Sequence, residues 1–203
     1  MKLSMIIFAV LFIFSTVNAQ DFITYSGAGK VILTNGTTLE GNVEYSLSTP
    51  GSVHIKVGDA KSEKYKAKEV KEFFVSDRHY YALKAKGEIT VGSDMMFAYI
   101  ISIDKAKFRL FKYETQPIVV SGNNVPITTT IYIGLPDNET EAYPLADLRL
   151  NPSKKLAKYL EDCPALAQKV ANKEKDFSYG MITSDGARIT VVEKINEEYA
   201  KCK

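Results

Sequence analysis

From Gly29 to about Leu150 the chain alternates apolar and polar residues with period two, and clusters of turn-forming residues cut that alternation into short pieces. Successive side chains of an extended chain point to opposite faces, so the pattern describes half-buried strands. No helix-length pattern lies between the pieces, which argues against a parallel sheet built with crossover helices. The clearest unit is a hairpin. Val31 to Thr34 runs into Asn35-Gly36, a pair suited to the positive-φ positions of a tight turn, and Leu39, Val43 and Tyr45 then alternate with Glu40, Asn42 and Glu44. Pro50-Gly51 and Gly58-Asp59 bracket the next strand, where Val53, Ile55 and Val57 share one face and Ser52, His54 and Lys56 the other. Further strands are expected at Glu63 to Ala67, Glu72 to Ser76, His79 to Lys84, Met95 to Ile103, Phe108 to Glu114, Pro126 to Ile133 and Glu141 to Leu145. Met96 to Ile101 is nearly all apolar and reads as a central strand covered on both faces, while Gln116 to Val125 reads as a loop.

At Asn151 the period changes. Asn151-Pro152 supplies a helix N-cap and a proline at the first helical position, and Leu156, Tyr159, Leu160 and Cys163 follow at helical spacing. Pro164 opens a second short helix with Leu166, Ala167 and Val170 on one side. Beyond Ser184-Asp185-Gly186, Val192, Ile195, Tyr199 and Cys202 form the stripe of a third. The fold class predicted is α+β: mainly antiparallel β, as a curved sheet or small barrel, with two to three C-terminal helices. The organisation expected is a leader over 1–19, a β-rich region over 20–150 and a helical region over 151–203 packed on it.

The leader carries Met1-Lys2, an apolar stretch from Leu3 to Val17, and the small residues of Val17-Asn18-Ala19. That order is the grammar of a secretory signal peptide, with cleavage predicted between Ala19 and Gln20. The uninterrupted apolar run, Met5 to Phe14, is too short to span a bilayer, so no transmembrane anchor is expected after cleavage. An exported protein meets an oxidising compartment, and the chain has two cysteines. Cys163 and Cys202 fall on helix faces predicted to be buried, and they lie outside any Cys-x-x-Cys arrangement. They are expected to form a structural disulfide closing a loop of about 40 residues, which stabilises by up to ~4 kcal/mol. Basic residues number 26 against 24 acidic. That balance gives no electrostatic case for nucleic acid.

Motifs that would carry chemistry fail on context. Gly27-Ala28-Gly29-Lys30 lacks the distal glycine of a phosphate-binding loop, since Thr24 stands there, has Val31 after the lysine, and precedes a strand rather than a helix. Asp77-Arg78-His79 places an acid, a base and an imidazole side by side, yet no Gly-x-Ser-x-Gly elbow supplies a nucleophile, and a turn between strands accounts for the three. His54 falls on a polar sheet face. His54 and His79 without nearby cysteines make no zinc pattern, and the acids form no calcium loop. The mixed lysines and acids between Asp59 and Glu72 read as a solvated face protecting edge strands. Asn35-Gly36-Thr37 and Asn138-Glu139-Thr140 match the glycosylation pattern and are equally well explained as turns. No catalytic, cofactor-binding or metal-ligating residue is predicted, and no cofactor.

The segment Gly29-Lys30-Val31-Ile32-Leu33-Thr34-Asn35-Gly36-Thr37-Thr38-Leu39-Glu40-Gly41-Asn42-Val43, together with Tyr65 to Val75, resembles a group of exported β-rich Bacteroidota proteins without an assigned function. Asp162-Cys163-Pro164 and the closing Val191-Val192 to Tyr199 and Cys202 look like the same group. The opening also resembles the first hairpin of small SH3-like or Sm-like barrels, where a glycine such as Gly41 permits a bent second strand. The resemblance implies a barrel-like geometry and carries no activity. The function expected is that of an exported, non-enzymatic envelope protein, a binding or structural module with an envelope protein or glycan as partner. The alternatives are a carrier of an apolar ligand in the β-body, drawn from Met95, Met96, Phe97 and Tyr99, and a hydrolase using acids that the fold gathers.

Overall fold

The computed structural model describes residues 22–86, 95–103, 106–116, 126–147, 152–178 and 184–202. The leader, its cleavage site and Asn151 lie outside the described residues, as does all of the expected 116–125 loop except Gln116. Among those described, ten strands join in one sheet: β1 (Thr24–Leu33), β2 (Thr38–Ser46), β3 (Ser52–Lys56), β4 (Glu63–Lys66), β5 (Val70–Val75), β6 (Arg78–Ala85), β7 (Met96–Ile100), β8 (Arg109–Thr115), β9 (Thr128–Gly134) and β10 (Glu141–Pro144). Three helices follow: α1 (Pro152–Lys158), α2 (Pro164–Ala171) and α3 (Asp185–Ala200). The strand order is β10-β9-β8-β7-β6-β5-β1-β2-β3-β4, and β10 also pairs in parallel with β6 through Glu141–Lys84 and Ala142–Ala85. Strands β6 to β10 thereby close into a five-stranded barrel, from whose wall β5, β1, β2, β3 and β4 extend as a curved antiparallel sheet. The α+β architecture with a small barrel and C-terminal helices is the one the alternation and the change of period predict.

The predicted hairpin forms β1 and β2. The Asn35 side-chain oxygen accepts from the Thr37 amide at 2.9 Å, and Gly36 sits at φ +87°. β1 begins five residues before the alternation does, because Ser26, Gly27, Ala28 and Gly29 are too small to mark a face. Its start is latched to the end of β8: the Ile23 amide donates to Gln116 Oε1 at 2.8 Å, the Leu47 amide to the Ile23 carbonyl, and the Gln116 amide to the Leu47 carbonyl. β3 departs from the expected faces. Val57 is exposed beyond the strand end, where Gly58 turns the chain at φ +54°, and Ser52 is buried with its amide and hydroxyl both donating to the Thr49 carbonyl. In β7, Met96, Phe97 and Ala98 are buried in succession, as a strand covered on both faces requires.

The core has three parts. Val31, Val43, Tyr45 and Phe73 of the extension pack with Tyr80 of β6 and Phe97 of β7. Leu83, Met96, Ala98, Phe111, Tyr132 and Ala142, drawn from all five barrel strands, fill the barrel interior. The outer barrel surface, including Phe108, Leu110, Ile131 and Ile133, packs against Leu156, Leu160, Leu166, Val170, Val192 and Ile195 of the helical segment. Buried Asn196 on α3 clamps this last layer: its side chain accepts from the Phe108 amide and donates to the Phe108 carbonyl, both at 2.9 Å. Asn196→Ala leaves both groups buried without partners. It is expected to cost about 2–4 kcal/mol, read as a lower urea midpoint at unchanged m-value. A shift below about 0.5 kcal/mol would show that water replaces the amide there.

Candidate functional site

A groove of about 270 Å³ lies where the barrel meets the extension, lined by Thr34, Val70, Lys71, Tyr81, Ala82, Met95, Arg109, Glu139 and Thr140. Most flank or open an element. Thr34 follows β1, Val70 and Lys71 open β5, Met95 precedes β7, Arg109 opens β8, and Glu139 and Thr140 precede β10, while Tyr81 and Ala82 lie in the middle of β6. The half-buried Tyr81 and Met95 give the groove apolar surface, with Lys71, Arg109, Glu139 and the two threonines beside them. The Asn138 side-chain oxygen accepts from the Thr140 amide at 3.0 Å and from its hydroxyl at 2.9 Å, so Asn138-Glu139-Thr140 is indeed a turn, one that faces this groove. Arg109 is half-buried. Its guanidinium lies 5.6 Å from the Tyr81 ring centre and 5.4 Å from that of Phe111, and Nη2 donates to the Glu139 carbonyl at 3.0 Å. Among the described residues no carboxylate pairs with Arg109 or with Lys71.

A row of stacked side chains crosses the same sheet face toward the groove. The Lys30 ammonium stands 4.5 Å over Phe74, Phe74 stacks on His79 at 3.8 Å, and His79 lies 4.3 Å from Tyr81. Because these rings cover one another's faces, the row presents edges to solvent and serves to hold Tyr81, and through it Arg109, in place. His79 is not in the turn. Ser76, at φ +53°, and Asp77 make the turn, and Arg78 and His79 open β6. His79 Nε2 is 2.7 Å from Glu72 Oε2, a base and acid pair with no serine, threonine or cysteine hydroxyl or thiol bonded to the imidazole among the described residues. His54 is half-buried on β3, opposite Glu44 and Lys64.

On the opposite face Arg78 lies between two rings, 4.0 Å from Tyr25 and 4.8 Å from Tyr99, and 3.3 Å from the buried Glu114, which Lys112 also meets at 2.6 Å. The Tyr80 hydroxyl beside it is buried without a hydrogen bond of ordinary geometry. Burial raises the Tyr80 and Tyr45 hydroxyls well above the usual tyrosine range, Tyr113 less so, and burial with the hydrogen bond to Asp137 raises Tyr159 to about 12. A raised folded-state value means that this stabilisation is complete below pH 10 and is lost as pH climbs through the raised range. Phenolate absorbance is therefore expected to rise in two stages, ordinary tyrosines first and the buried ones in one cooperative step with unfolding. A single gradual stage would contradict the packing of Tyr45 and Tyr80.

Cys163 and Cys202 are bonded, with Cα atoms 5.9 Å apart. Their placement differs from the predicted buried helix faces: Cys163 is buried as the N-cap of α2, and Cys202 is exposed just past α3, because α1 and α3 both end earlier than their stripes. Nearby, Lys107 Nζ reaches the Tyr199 hydroxyl at 3.1 Å and Asp162 at 3.5 Å, and the Tyr199 hydroxyl donates to Asp162. A second groove of about 290 Å³ is lined by Ile101, Ser102, Ile103, Glu193, Asn196 and Glu197. Its two carboxylates come from one turn of α3 rather than from facing walls. Among the described residues no three His, Cys, Asp or Glu side chains gather as a metal site, and no helix is long and apolar enough to cross a membrane. Arg109, Lys71 and Glu139 escaped the sequence reading, since nothing in spacing brings three element ends together. No family model, no curated protein and no solved structure matches the chain.

Proposed function

We propose that the protein is an exported, non-enzymatic binding module of the cell envelope and that it holds a glycan in the groove between the barrel and the extension. One observation carries the reading: a half-buried guanidinium, fixed by two rings and a carbonyl and unpaired with any described carboxylate, beside the apolar surface of Tyr81 and Met95 and the two threonine hydroxyls. Ligand pockets are concave and largely apolar, with a few placed polar groups that fix orientation, and this groove has that composition. The leader grammar and the disulfide support export, and the likeness of the opening hairpin to exported Bacteroidota proteins points to the same compartment.

Envelope polysaccharide immobilised on beads is expected to retain the folded protein, and Thr140→Trp, which places an indole in the groove from an exposed turn, is expected to reduce retention at least tenfold at unchanged Tm. Retention that Thr140→Trp leaves intact moves the site elsewhere, and a wild type that is not retained ends the glycan reading. Export is checked separately. The intact mass of the protein collected outside the cytoplasm is expected to match a chain starting at Gln20, less two hydrogens for the disulfide.

A further inference from the structure

We infer that the sugar taken by this groove is acidic, a uronic-acid residue within a polysaccharide, with its carboxylate held by Arg109 and Lys71; the inference rests on the glycan reading above. The charges decide the sign. Lys30, Lys71 and Arg109 stand along this face without a carboxylate partner among the described residues, whereas Glu72 is engaged by His79. Arg109 is pinned through Nη2 to the Glu139 carbonyl, and the rings of Tyr81 and Phe111 fix its plane, which leaves a pre-set fork for a carboxylate.

The rest of the rim separates a sugar from a peptide. The Glu139 carboxylate and the hydroxyls of Thr34 and Thr140 accept hydrogen bonds from hydroxyl groups, which a polyuronate carries on every residue and a run of acidic side chains lacks. Strands β5 and β6 are paired on both sides, so no open strand edge is available for an added peptide strand. Met95 offers an apolar contact for the C–H face of a ring and Tyr81 the edge of its own, and about 270 Å³ accommodates one residue of a chain whose neighbours leave through the open sides.

The test titrates full-length mature protein with alginate, polygalacturonate and hyaluronan, with methyl-esterified polygalacturonate as the uncharged body and with polyglutamate as the peptide arm. At least one polyuronate is expected to bind at or below about 1 mM in sugar residues. Binding is expected to weaken at least tenfold in Lys71→Gln, whose side chain is exposed, and in Arg109→Gln, with Arg109→Lys intermediate and Tm unchanged for Lys71→Gln. Equal binding of polygalacturonate and its methyl ester overturns the acidic class and leaves the glycan reading standing. Binding of polyglutamate alone overturns it in favour of a peptide. If no polyuronate binds while envelope polysaccharide is retained, the acidic class is wrong and the glycan reading survives; if neither binds, both fall.

Discussion

Gly29→Ala is expected to destabilise the protein by about 3–5 kcal/mol, a large part of the stability of a domain this size. Gly29 pairs with Gly41 on β2 and with Val75 on β5. A Cβ at position 29 would sit 2.0 Å from the Phe74 carbonyl oxygen and 3.0 Å from its carbon, with Val43 Cγ2 at 3.1 Å. Backbone atoms cannot rotate aside as a flexible side chain does, so β1 and β5 must separate, and β5 is the strand that joins the extension to the barrel. The same crowding meets Gly41, where a Cβ would fall 2.2 Å from the Lys56 carbonyl oxygen. Two glycines directly opposite each other let the sheet fold tightly on both sides of one hairpin, which is the bend that Gly41 alone suggests in the sequence. Gly51→Ala is the control, since nothing lies within 4 Å of its added carbon and its φ is ordinary. Urea midpoints that are equal for Gly29→Ala and Gly51→Ala would refute this account of the bend.

The strands were legible because each has one wet and one dry face, and the alternation is the direct imprint of that asymmetry. Where the physics leaves no such imprint, the sequence is silent. The first half of β1 is small residues pressed against neighbouring backbone, and Ser52 is buried by the turn it bonds rather than by apolarity. Closure of the barrel was equally hidden, because the β10–β6 pairing joins short strands far apart in sequence through two residue pairs. The site was hidden for a related reason. Arg109 and Lys71 each read as an ordinary cation on a strand end, and only the closure that brings β10 beside β6 sets Glu139 and Thr140 against them. His79 drew attention through its neighbours in sequence, Asp77 and Arg78. Its actual partner, Glu72, arrives across the β5–β6 pairing, and the imidazole spends its faces on Phe74 and Tyr81.

Removing the Cys163–Cys202 bond by the double serine substitution is expected to lower stability by about 4 kcal/mol while leaving the fold intact at neutral pH. The bond spans 39 positions, and most of its effect is to restrict the unfolded chain, so the helices need not rearrange when it is lost. What keeps α3 seated is independent of sulfur: Val192 and Ile195 are fully buried, Asn196 clamps Phe108, and Tyr199 reaches Asp162 and Lys107. That last contact makes the variant sensitive to acid. The Tyr199 hydroxyl, aided by Lys107, holds the Asp162 carboxyl below its usual range. A lowered folded-state value stabilises above the ordinary aspartate range, and the contribution is lost as pH falls through the lowered one. The double serine variant is therefore expected to unfold at a higher pH than the wild type on acid titration, and Tyr199→Phe in that background is expected to remove part of the difference between pH 7 and pH 3. Identical urea midpoints for wild type and the double serine variant at pH 7 would mean that the bond restrains a chain end already ordered in the unfolded ensemble.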